Sequence, residues 1–494
     1  MPLSPYQQLQ EEFAKAQALE AAAHYLRFDA EMQMPTGVAS DRGEQLAAIE
    51  LERHALLVAP KIARLIDRAE ANRPQLDPLD EDNLNHMRRL KDRALALPKS
   101  LVARRAKASA RALAARRAVM LGEDPQALWS ALAEMLALTQ DRAALLAKNS
   151  GVSPEDCLLD EIHPGLKRAD VDPLLKALTA QMPEWVQTYK NFKPVESAPV
   201  SVDQQQAAIS ALLSRLPVLP ERIQLVQNRV TQILSKVPGD YRISLALNER
   251  DPWLGLRLVL GHLTEALHHQ FLPPSLQRQP VSTQRSPLLR TAERYFWGQR
   301  FAREPSCWVG FKDDSTTALF WSQQPLDQMA RELNSSGAGA SSLWSTTEWG
   351  YFAKACVFLE LDQKLFDGDL AVRDLDEAYR DAGRRLPAVM ADDRFGVVSE
   401  SFWMNGESFR PLQWVAGAAI GLQVWELIKA EHEDLLAESQ AGDMLAVWRW
   451  WREHFNTHLT AKTLDEELES LTGRTLSAQP IFRHFDHLEA GVVG

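Results

Sequence analysis

The chain is predicted to fold as an all-α protein carrying one small sheet. Stretches rich in Ala, Leu, Glu and Arg, with apolar residues three and four apart, recur from end to end. Prolines punctuate these stretches, and only one short segment alternates in the manner of a strand.

Taken in order, Gln7 to Ala23, Arg42 to Ala69, Glu81 to Ala96 and Ser100 to Met120 read as helices. Pro35, Pro98, Pro125, Pro183 and Pro217 are expected to delimit helices, because proline lacks an N–H and crowds the preceding turn. Tyr241 to Leu247 alternates and follows the turn Val237-Pro238-Gly239-Asp240, so it is the strand candidate. Trp253 to Phe271 is an apolar helix, and helical patterning resumes over Leu361 to Leu436 and Leu445 to Leu471. No linker rich in Gly and Ser and no internal repeat interrupts this order, so a single domain is expected.

Composition narrows the partners. Among 494 residues, Lys and Arg number 55 and Asp and Glu 66, a net charge of −11. That balance argues against a nucleic-acid or anionic-membrane binder, which needs a positive field. Cys157, Cys307 and Cys356 are too few and too scattered for a disulfide framework or a thiolate zinc site. The polar, acidic start from Met1 to Glu12 and the lack of a long apolar run lead us to expect a cytoplasmic protein without membrane spans.

One local charge run departs from this average. From Arg88 to Arg117 there are eleven Lys or Arg residues and a single acid, Asp92. The simpler reading is a solvated helical face balanced by acidic helices elsewhere; the alternative is a surface that recruits an acidic partner. Stacking aromatics do not interleave the run, which weighs against nucleic acid.

Candidate chemistry concentrates in the helix from Trp253, which carries His262, Glu265, His268 and His269. Residues three or four apart share a helix face, so His262 with Glu265, or Glu265 with His269, are spaced to chelate one ion. All three together are harder to place, because His262 and His269 lie about 10.5 Å apart along the axis at 1.5 Å per residue. The bland reading, satisfied polar residues on a helix, competes directly with the metal. Signatures of serine hydrolases, dinucleotide-binding loops and Walker loops are absent.

Gly239-Asp240-Tyr241-Arg242-Ile243-Ser244, followed by Gly261-His262-Leu263-Thr264-Glu265-Ala266-Leu267-His268-His269-Gln270, resembles the Taq-type metallocarboxypeptidase family. That family's pattern is a D-x-R-x-T strand and a helix reading H-E-x-x-H-A-L-Y-E-Q. Phe28 to Gly37, Arg42 to Gln45 and Leu445 to Glu489 are similar to its terminal segments, so the likeness spans the chain. The resemblance implies a long helical body with a deep groove, usually a homodimer, with an N-terminal helical arm over about residues 1–150 and a catalytic-type core over about 220–494.

The departures from the pattern bear on function. The first zinc histidine falls on Gly261, the general-base glutamate on His262, the second zinc histidine on Glu265, and the distant ligand glutamate on Arg290. Asp240, Arg242, Arg294 and Trp403 match groove residues that the pattern retains. The family's I-R-x-x-A-D falls near Ser342 to Thr347, with Leu343 in place of its arginine. Its G-x-x-Q-D-x-H-W falls on Gly396 to Trp403, with Ser399 and Phe402 in place of Gln and His.

A catalytic zinc needs three protein ligands and an open position. Here the family's charge balance changes: Glu265 is offset by Arg290 without any dication, and the two are expected to form a salt bridge at about 2.7 to 3.2 Å. The sequence is therefore read as a catalytically degenerate relative with no cofactor, offering a groove to a peptide or small ligand. The alternative is an active carboxypeptidase with zinc or cobalt at a rebuilt site of His262, Glu265 and His268 or His269. A third reading is a structural dimerisation protein that uses the basic stretch.

Overall fold

The computed structural model describes the chain except residues 1–2, 190–192, 196, 228–231, 235–236, 238, 284–285, 312–324, 339–342, 387–395, 441–442, 444, 455–462 and 493–494. Pro238, Ser342 and part of the stretch Leu445 to Glu489 lie outside the described residues.

The amino-terminal half is built from α1 (Pro5–Met32), α2 (Ala39–Leu57), α3 (Pro60–Glu70), α4 (Pro78–Leu95), α5 (Lys99–Met120), α6 (Gln126–Ser150), α7 (Pro154–Ile162), α8 (Arg168–Tyr189) and α9 (Val202–Arg215). Three strands follow, β1 (Ile223–Gln227), β2 (Gln232–Leu234) and β3 (Tyr241–Leu245). Then come α10 (Pro252–Phe271), α11 (Pro280–Thr283), α12 (Pro287–Tyr295), α13 (Leu326–Ser335), α14 (Glu348–Asp367), α15 (Leu375–Arg385) and α16 (Arg410–Glu431). The chain ends with α17 (Glu433–Gln440), α18 (Leu445–His454), α19 (Leu464–Thr472) and α20 (Gln479–Val492).

The expected class is therefore the observed one, mainly α with one small sheet. In that sheet β3 is central, pairing parallel with β1 (Ile223 opposite Tyr241) and antiparallel with β2 (Gln232 opposite Ser244). Local chemistry sets several helix ends. Ser4 with Gln7, Ser201 with Gln204 and Thr463 with Glu466 form capping boxes that satisfy free N–H groups. Gly151, Gly368 and Gly473 end helices in the left-handed conformation.

Several helix boundaries differ from the sequence expectation: α1 runs on to Met32, past Ala23, and the stretch from Leu361 to Leu436 is divided among α14, α15, α16 and α17. The stretch Arg42 to Ala69 breaks at Pro60, because Ala59 ahead of it is extended (ψ 135°) and Pro60 starts a new helix. Pro183, expected to delimit a helix, lies inside α8. The residues that follow it, Trp185 and Tyr189, are buried in the main core, and that burial offsets the lost backbone hydrogen bond.

One apolar cluster runs from Ala30 to Phe485 and takes in α10, α12, α14 and α16; a second packs Leu9 and Phe13 of α1 against Ile62, Leu65 and Leu84. The tryptophans serve this packing: Trp297 stacks on Trp448 at 4.1 Å and 7°. The basic stretch is largely neutralised within the molecule. Arg88 meets Glu70, Arg89 and Arg93 meet Asp160, Lys107 meets Glu44, and Arg111 meets Glu134. Arg116 and Arg117 donate to the backbone carbonyls of Val398 and Met34. Among the described residues no helix is long and apolar enough to cross a membrane.

Candidate functional site

The site lies where α10 crosses α12 beside β3. Helix α10 is buried on every side from Pro252 to His269, which explains why its sequence is apolar all round and lacks an amphipathic stripe. Its polar residues are therefore enclosed, and each must find a partner inside the protein.

Glu265 is 7% exposed, and its Oε1 accepts from Arg290 Nη1 at 3.1 Å. The expected salt bridge between α10 and α12 thus forms within the expected range. His269 Nε2 lies 3.7 Å from the same oxygen. One turn back, His262 Nε2 accepts from Arg294 Nη2 at 2.8 Å. A guanidinium only donates, so this contact assigns His262 as the neutral tautomer protonated on Nδ1. Burial, with Arg294 beside it, holds His262 well below the usual imidazole range.

His269 is committed at both nitrogens. Nε2 lies 3.2 Å from the Ser282 carbonyl, which can only accept, so Nε2 carries the proton. Nδ1 then accepts from the Tyr241 hydroxyl at 2.8 Å. The strand thereby fixes the ring of a residue on the helix, and Tyr241 in turn accepts from Gly239 N. Gly239 needs its glycine, since φ is +84° in the turn before β3.

Gly261 has a packing reason. A Cβ built there would stand 3.0 Å from Gly298 Cα and 3.1 Å from the Arg294 carbonyl oxygen. Gly298 lies in the π-helical stretch Phe296–Arg300 that continues α12. Two glycines thus let the backbones of α10 and this stretch touch.

The expected groove residues divide. Arg294 joins the α10 cluster, and burial lowers its pKa to about 9 although Tyr351, Glu400 and Glu265 hold it up. Asp240 accepts from Arg242 Nε and Nη2, both at 3.0 Å, and from the Tyr25 hydroxyl of α1. Arg242 also lies over the Tyr25 ring at 4.9 Å, so α1 closes onto β3 through this group. Trp403 sits elsewhere, 7% exposed against Phe358 and Phe402, with Nε1 donating to Asp362 at 2.7 Å.

Sequence reasoning did not single out Tyr25, Tyr351, Glu400 or Arg410. Glu400 was the findable one, an acid where the family pattern has its aspartate; its Oε1 accepts from Leu343 N at 2.8 Å, and Arg410 lies near it. Among the described residues, no three His, Cys, Asp or Glu side chains come together as a metal-binding group. His262, Glu265 and His269 are each turned to other partners.

Residues 8–488 match the family described as carboxypeptidase Taq (M32) metallopeptidase. The chain belongs to that family. Thermostable carboxypeptidase 1 of Thermus thermophilus is 23% identical over 509 residues, covering all of both proteins. Among solved structures, metallocarboxypeptidase 1 of Trypanosoma cruzi superposes with a TM-score of 0.81 at 21% identity, covering 99% of each chain. The M32 carboxypeptidase of Deinococcus radiodurans R1 gives 0.81 at 20% identity with the same coverage. At such identities these M32 structures support the fold alone.

Proposed function

We propose that this M32 protein does not run zinc peptidase chemistry and instead uses the inherited scaffold to bind a peptide or small ligand. The observation that carries the reading is the ion pair of Glu265 with Arg290 at 3.1 Å. A guanidinium beside a carboxylate satisfies the charge that a dication would otherwise meet, and repels that dication.

Donor chemistry supports the same reading. A ligand imidazole presents an unprotonated nitrogen to the metal. His262 spends that nitrogen on Arg294, and His269 spends it on Tyr241. The described residues therefore do not fit zinc or cobalt, and no reaction step is derived through either. Homodimerisation and a cytoplasmic location remain part of the proposal, carried by family resemblance and composition.

Metal analysis of the purified protein, paired with release of C-terminal residues from N-blocked peptides, tests the reading. Metal well below one equivalent and no release after zinc or cobalt loading are expected. Near-stoichiometric metal with release would overturn the proposal in favour of a rebuilt site.

A further inference from the structure

Asp362 of α14 is 1% exposed, and among the described residues it has no cation within ion-pair distance. Its partners are two donors from the turn that leads into α16: Oδ1 accepts from Trp403 Nε1 at 2.7 Å, and Oδ2 accepts from Phe409 N. A buried carboxyl without a cation is costly to ionise, because two neutral donors replace only part of its hydration. Burial accordingly pushes Asp362 up to about 7 from an ordinary 3.8, against the pull of Phe409 N–H and the Trp403 indole. No charged side chain of α6, α15, α16 or the turn contributes. On its own helix Glu360 and Lys364 pair with each other at the surface, and Glu407 of the turn pairs with Arg410.

The turn is kept in a conformation that its own residues disfavour. Phe409 has φ +64°, the only positive value at a non-glycine among the described residues, and a bulky side chain rarely enters that left-handed region. Its ring is fully buried against Phe366 at 5.0 Å. Glu407 N donates to the Phe402 carbonyl and Gly406 N to the Trp403 carbonyl, both at 3.0 Å, so 402–407 forms one compact unit. An open cleft of about 300 Å³ reaches Trp403, Gly406 and Ser408, which brings solvent against that unit.

Both ends of the turn bear on the α10 cluster. Glu400 stands just before it and Arg410 just after it, and the two act in opposite directions on Arg294, the partner of His262. A shift of the turn therefore changes the electrostatics at Arg294.

We propose that the turn 402–409 is a proton-gated latch: neutral Asp362 holds it shut, and loss of the proton favours release, because only the released turn lets the carboxylate reach water. The shut state binds the proton more tightly than a released state in which the carboxyl is hydrated, so rising pH favours opening. The opening equilibrium gains about tenfold per pH unit between about pH 4 and about pH 7 and levels off above that. Phe409 assists, since release lets its backbone leave the left-handed region. The latch uses neither Glu265 nor Arg290 and is read without any ligand, so it stands or falls separately from the proposed function.

Hydrogen exchange of the full-length protein, followed by mass spectrometry from pH 5 to 8 and corrected for intrinsic exchange, provides the test. Opening of peptides spanning 402–409 is expected to rise at least about tenfold from pH 5 to 7 and less than about threefold from pH 7 to 8, while peptides from 412–425 inside α16 stay flat. Asp362→Asn should abolish the rise. Trp403→Phe should carry it on past pH 7, because a lost donor raises the acid further. A flat wild-type profile, an equal rise in Asp362→Asn, or a rise shared equally by 412–425 would each overturn the latch. If Asp362→Asn does not fold, the wild type and Trp403→Phe decide the matter: a rise that levels off at the same pH in both overturns it.

Discussion

At the level of single residues, Gly261 and the Glu265–Arg290 pair make the sharpest predictions. Gly261→Ala should gain about 1 kcal/mol of helix propensity, yet it presses a methyl against the backbone of Gly298 and Arg294, which cannot swing aside as a side chain does. We expect net destabilisation of about 1 to 2 kcal/mol, read from denaturant midpoints. Unchanged or increased stability would refute the close-contact account. For the ion pair, Glu265→Gln and Arg290→Met should each destabilise by about 3 kcal/mol, because each leaves an enclosed charge alone. The double variant Glu265→Gln with Arg290→Met should recover most of that loss, and a double-mutant cycle with no coupling would contradict the pairing. The sequence made the pair visible, since the family resemblance drew attention to an acid at 265 and a cation at 290. It did not reveal how Gly261 is used, because a helix-interior glycine reads equally as decay or as contact until its neighbour Gly298 is placed.

At the level of elements, α14 is tied to α20 and to α12 through Glu348. Tyr295 donates to its Oε1 at 2.7 Å, and His484 Nε2 lies 3.0 Å from Oε2. Burial alone would raise this carboxyl, but His484, Arg300 and Arg303 outweigh it and hold the pKa to about 2, against an ordinary 4.5. A depressed acid stabilises the fold above its unfolded pKa and loses that contribution as pH falls toward the folded one. Stability should therefore decline as pH falls from about 5 to about 2, and Glu348→Gln should flatten that limb while lowering the melting temperature near neutrality. An acid limb equally steep in the variant would show that other carboxylates carry it. Helices were legible in the sequence because apolar periodicity and caps are local signals. Pro60 and Pro183 were not distinguishable in that way: one follows an extended residue and starts α3, whereas the other is retained inside α8 where Trp185 and Tyr189 pack.

At the level of the whole molecule, the basic stretch acts as internal mortar, tying α4 to α7 and α5 to α2 and α6. Arg93 reaches Asp160 at 2.8 Å and also pairs with Glu161, linking α4 to α7. Charge reversal at Arg93 should therefore loosen the packing of α4 on α7, seen as faster limited proteolysis around these two helices. Unaltered proteolysis would return the stretch to the role of a partner surface. The sequence counted these charges correctly, but pairing across seventy or so residues leaves no local pattern, so the solvated-face reading was half right. The bidentate clasp of Asp240 by Arg242 under Tyr25 was equally hidden, although two of its three members were quoted as motif residues.

The contact of Gly261 with Gly298 also bears on what this helix crossing can accept. Each glycine is tolerated because the other is there, and a Cβ on either meets main chain on its partner. A histidine placed at 261 alone would meet the backbone of Gly298 and Arg294. Any side chain at 261 therefore needs the two helices to part first. The crossing thus acts as a gauge that passes only a bare Cα at either position.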